Sequence, residues 1–163
     1  SEMSWLLILF IIAVVISPLM WLKQSPHSKR MTELRGLANT LSIQVSLHRR
    51  PDAREDEKAL EAVCYRMPWL QRDCDQSWVL QRFSQRGWDS HCEGWRWTHH
   101  QADPVWDSLL GEIIPQMPSG VTGVIANRAG IGLIWDERGN AQDLQKMSEN
   151  LQALRKKAEE ICH

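Results

Sequence analysis

The four cysteines of this chain form no C-x-x-C pair, and the sequence holds no G-x-S-x-G elbow, no P-loop and no Rossmann glycine pattern. Their absence removes the usual anchors of hydrolase, nucleotide and dinucleotide chemistry. Charge of one sign is lacking too. The formal net charge is −1, with acids and bases mixed along the chain. A nucleic-acid binder would usually show a basic face, so that class is set aside. No small-molecule substrate is evident, no cofactor is expected, and the chain reads as a non-enzyme.

A metal site is not expected either. Cys64, Cys74, Cys92, His91, His99 and His100 include zinc-ligand types, but structural zinc favours tight local pairs. These cysteines are far apart, and on a strand the adjacent His99 and His100 would point to opposite faces. In "WDERG" the neighbouring acids Asp136 and Glu137 splay apart in the same way, and their place is the turn into the last helix. In a reducing cytoplasm the four cysteines are expected to be free thiols packed as small hydrophobes; a periplasmic domain would permit disulfides among them.

What the sequence does hold is one long apolar run. Trp5 to Leu22 carries no charge over 18 residues, a helical length of roughly 27 Å and close to the hydrocarbon thickness. Trp5 and Trp21 stand near its ends, where amphipathic rings prefer the headgroup level, and Phe10 lies in its middle. Pro18 is near enough to the end for Ser17 or water to satisfy the freed carbonyl. A cleaved signal would want a basic start and small residues at a cut site, and this start carries Glu2. A transmembrane helix over 4–22 is therefore expected. Lys23, Lys29, Arg30 and Arg35 follow it and point to lipid headgroups, in a juxtamembrane segment over 23–40. Excess Lys and Arg mark the cytoplasmic side, so the N-terminus points out and an α+β domain over 41–163 lies in the cytoplasm.

Tryptophan is the compositional outlier, with nine residues. A Trp-rich core is the preferred reading. An exposed pair at Trp95 and Trp97, which share one face of "GWRWTHH", would instead make a partner surface together with Arg155 and Lys156 of the last helix.

Local patterns fill in the domain. Ser28 can cap a short helix bearing Met31, Leu34, Ala38 and Leu41. "LSIQVSL" (residues 41–47) alternates as a half-buried strand. "HRRPDAREDEKALEAV" begins as a loop, and its second half reads as a short helix. "CYRMPW" (64–69) suits an edge strand because of Pro68, and "SWVLQRF" (77–83) is a further strand. In "DPVWDSLLGEIIP", Asp103 caps, Pro104 takes the first helical position and Pro115 ends the helix. "GVTGVIANRAGIGLIWDERG" reads as a hairpin turning at 127–130. Asn140 then opens a helix whose residues Leu144, Met147, Leu151, Leu154, Ala158 and Ile161 form one seam. The sum is an antiparallel sheet of about five to seven strands closed by a C-terminal amphipathic helix, a layout shared with pleckstrin-homology-like barrels.

The opening "WLKQSPHSKRMTELRGL" resembles the small accessory subunit of the bacterial Sec translocase: one span, then a proline and a Lys-Arg pair. That family's glycine-rich β motif is replaced here by "ANTLSIQVSL". The whole chain is similar to single-span inner-membrane proteins of proteobacteria, in which a short anchor leads to a Trp-rich domain ending in a W-D-E-R-G turn and helix. This resemblance implies location and architecture, and no activity. The leading expectation is a non-catalytic accessory or scaffold subunit of an inner-membrane complex, with membrane lipid and other subunits as partners. Two alternatives are a tethered ligand- or metal-binding sensor, with a pocket at Trp95, Trp97 and the nearby histidines, and an anchored enzyme.

Overall fold

The computed structural model describes residues 2–22, 26–49, 51, 61–70 and 74–162, and within the helices and strands it leaves out the side chains of 17–22, 27 and 49. Of the short helix expected in the second half of the 48–63 stretch, residues 61–63 open a strand instead, and the rest lies outside the described residues. Two compact units divide at Leu34: Ser1–Glu33 and Leu34–His163.

In the first unit α1 runs unbroken over Glu2–Leu22, 21 residues. Between Met3 and Ile16 its large apolar side chains are 45–84% exposed. Against the span expected over 4–22, no helix among the described residues is long and apolar enough to cross a membrane. Helix α2, Pro26–Thr40, begins in this unit and ends in the second.

The second unit is α+β. Among the described residues seven antiparallel strands stand in the order β1-β2-β7-β6-β3-β5-β4, with bounds β1 Gln44–Arg49, β2 Glu61–Met67, β3 Trp78–Arg82, β4 Trp88–Asp89, β5 Trp95–Trp97, β6 Val121–Asn127 and β7 Gly130–Trp135. Because β2 pairs with β7 and β3 lies between β6 and β5, the chain does not meander from strand to strand, and the likeness to a pleckstrin-homology-like barrel goes no further than a strand set closed by a C-terminal helix. β1 starts at Gln44, three residues later than the sequence pattern suggests, since Leu41 and Ser42 form a turn that closes α2. A larger correction concerns β2. It is an interior strand, paired with β1 and β7, and Pro68 falls just past its last residue, so no ladder hydrogen bond is lost.

One sheet face carries the core. Tyr65, Met67, Trp78, Leu80, Trp95, Trp97, Leu133 and Trp135 are buried there. Over them lies α4, Ala141–Ile161, which buries Leu144, Met147, Leu151, Leu154 and Ala158, with Ile161 half-buried. Its start is a capping box between Asn140 and Asp143. A 3-10 turn at Pro104–Trp106 leads into α3, Asp107–Ile113, with Asp103 accepting from the Val105 N–H. Trp78 meets Trp97 and Trp106 edge-on, at 5.8 and 5.0 Å between ring centroids. Such edge-to-face contacts satisfy the ring quadrupoles as well as burying area.

Candidate functional site

Trp95 and Trp97 are not a partner surface. Both are buried in the core, at 6% and 1% exposure, because β5 turns its Trp face toward α3 and Trp78. Of their expected companions, Lys156 is exposed, and Arg155 donates from Nη1 to the Pro68 carbonyl at 3.2 Å. Trp5 and Phe10 are exposed, at 67% and 68%. The side chains of Pro18 and Trp21, and the whole of Lys23, lie outside what is described. Lys29 and Arg30 are exposed.

Arg35 has a different role from the lipid contact expected of it. Its Nε and Nη2 donate to the Glu137 carboxylate at 3.2 and 3.0 Å, and the Tyr65 hydroxyl donates to the same group at 2.7 Å. Glu137 is 6% exposed and holds a positive φ of 61°. Its neighbour Asp136 stays outside, where Oδ1 accepts from the Arg138 N–H. The splaying of the two acids is thus real, and the inward one is fully engaged. Burial, then the hydrogen bond and the charge of Glu137, push the Tyr65 phenol far above its ordinary range. These groups hold one another, and the 2.7 Å bond leaves the Tyr65 hydroxyl committed to structure.

The cysteines divide into a pair and two single thiols. Cys74 and Cys162 form a disulfide with a Cα–Cα distance of 5.2 Å, which corrects the expectation of free thiols for these two. The C-terminal end of α4 returns beside the segment ahead of β3, a juxtaposition across 88 residues that spacing could not reveal. Cys64 and Cys92 are free. Cys92 lines a cavity of about 530 Å³ with Arg82, Glu93 and Trp95, and His91 Nε2 lies 3.1 Å from Asp107 Oδ2 nearby. Burial first, and then Asp107, push the Cys92 thiol up. It stays protonated at neutral pH, whereas a nucleophile must be a thiolate. Among the described residues no three His, Cys, Asp or Glu side chains converge as a metal would require.

The sheet face opposite the core is lined by alternate residues of the same strands. β2 turns Cys64 and Arg66 to it, opposite in phase to Tyr65 and Met67. Arg66 is 9% exposed and its Nε makes no hydrogen bond. A cavity of about 450 Å³ opens beside it, bordered by His48, Ser77, Val79, His99, Ile125 and Asn127 among others. Burial, and then Arg66, hold the His48 imidazole below its ordinary range.

Sequence reasoning missed both charged features. Tyr65, Arg35 and Glu137 are separated by 72 and 102 positions, so no local signal links them. Arg66 was detectable: in "CYRMPW" it alternates with two apolar residues that seek the core. No protein-family model matches the chain, and neither a curated protein nor a solved structure matches it.

Proposed function

We propose that this chain is a non-catalytic accessory or scaffold subunit of a bacterial inner-membrane protein complex. In this reading it is held by its N-terminal helix as a single pass, with the N-terminus outside and the α+β domain in the cytoplasm. The observation that carries the reading is α1. An unbroken 21-residue helix, uncharged from Trp5 to Leu22 and exposing every large apolar side chain described between Met3 and Ile16, is costly in water and suited to lipid. Exposed Lys29 and Arg30 follow it, fitting anionic headgroups. In support of a non-catalytic role, the buried Glu137 carboxylate is held by Tyr65 and Arg35. The pleckstrin-homology-like layout adds no function to this reading.

Cross-linking in intact membranes, followed by blue-native electrophoresis, tests the proposal. The expected result is a discrete larger species containing the chain. Extraction from membranes by alkaline carbonate, or migration as a free monomer alone, would overturn it. A membrane-tethered ligand sensor is the second reading, and the buried Arg66 favours it.

A further inference from the structure

We propose that the cavity beside Arg66 binds a small organic carboxylate, its anionic end on the Arg66 guanidinium and its apolar body along Val79 and Ile125. This deepens the sensor reading and does not depend on the anchor. Arg66 lies in the interior strand β2, paired to Gln44 of β1 and Gly132 of β7. The core takes Tyr65 and Met67 and leaves Arg66 on the other face. There the residue is nine-tenths buried, yet no hydrogen bond or ion pair ties its guanidinium to any described residue, and Nε is sealed without an acceptor. Burying an ion without a counter-charge is among the costliest arrangements a fold can hold. An oxyanion arriving from the cavity would remove that cost.

The geometry points to a carboxylate. The planar guanidinium fork matches a carboxylate with two parallel hydrogen bonds. Among the described residues that border the cavity none is an acid, while His48, His99, Ser77 and Asn127 offer polar groups around it. Among the described residues lining the space Arg66 is the one Arg or Lys, burial and Arg66 favour neutral His48, and a single guanidinium balances a monoanion better than a phosphate dianion. Val79 and Ile125 supply apolar wall. The volume, about 450 Å³, falls in the range of small-molecule sites.

Isothermal calorimetry on the full chain in non-ionic detergent, with acetate, butanoate, hexanoate and inorganic phosphate as probes, tests the assignment. Affinity is expected to climb along the carboxylate series by about fourfold per buried methylene. R66M should weaken hexanoate about tenfold or more, and should raise the thermal midpoint without ligand because a buried charge that no described residue pairs is gone. H99E, at an exposed position that leaves the fold intact, should weaken it through repulsion. Equal binding by R66M and the parent chain, unchanged binding by H99E, a flat carboxylate series, or phosphate binding as tightly as hexanoate would each overturn the proposal. Loss of the anchor reading would leave these outcomes unchanged.

Discussion

Tyr65 is the only tyrosine in the chain, so a spectroscopic titration of tyrosinate reads this residue alone. Its phenol gives a proton to Glu137 in a buried 2.7 Å bond, and burial together with that carboxylate raises its pKa. A raised folded-state value means the folded chain holds the proton more tightly than the unfolded chain. The stabilisation is therefore complete below the unfolded value of ~10 and is lost as pH rises through the folded one. We expect the protein to lose stability above about pH 10, with tyrosinate absorbance appearing together with unfolding and not before it. Y65F should flatten that alkaline dependence and cost about 1–3 kcal/mol at neutral pH, because Glu137 loses a buried donor. Arg35 contributes less, since its side chain is 48% exposed and its charge is screened. Tyrosinate appearing in the native protein at ordinary alkaline pH would contradict this account of the cluster.

At the scale of the element, α4 depends on its first turn. Asn140 Oδ1 accepts from the Asp143 N–H and Asp143 Oδ2 accepts from the Asn140 N–H, each at 3.0 Å. N140A removes one half of the box and should cost about 1 kcal/mol in a urea titration. An unchanged midpoint would mean that packing of the apolar seam alone holds the helix. This helix was legible in the sequence, cap included, and so were the capped helical stretch from Asp103 and the β6–β7 hairpin. Each announces itself within a few residues: an Asn or Asp before a periodic run, or Asn127 and Gly130 between two apolar runs. β2 reads as an edge strand only if Pro68 belongs to it, and Pro68 sits one residue beyond the ladder. Strand order, the Cys74–Cys162 bond and the Glu137 cluster were hidden for a common reason. They join segments far apart in the chain, and periodicity carries no information about which distant segments meet.

For the whole molecule, the side of the membrane on which the domain lies turns on two opposed signals. Lys23, Lys29, Arg30 and Arg35 follow the apolar run, which favours a cytoplasmic domain. The Cys74–Cys162 disulfide favours an oxidising compartment, because cytosolic glutathione keeps thiols reduced. Flanking charge acts during insertion, when orientation is decided, whereas a bond across 88 residues forms only once the fold has brought its ends together. We therefore give the bases the greater weight and expect a cytoplasmic domain whose fold shelters the bond, Cys74 being 2% exposed. Protease added to intact spheroplasts should leave the domain whole, and a thiol reagent that crosses the membrane, applied before lysis and followed by denaturation, should modify Cys64 and Cys92 and spare the disulfide pair. If the domain is instead cleaved from outside, the orientation reverses. In either compartment the disulfide is a clamp worth about 2–4 kcal/mol, and reduction should lower the thermal midpoint of the purified protein accordingly.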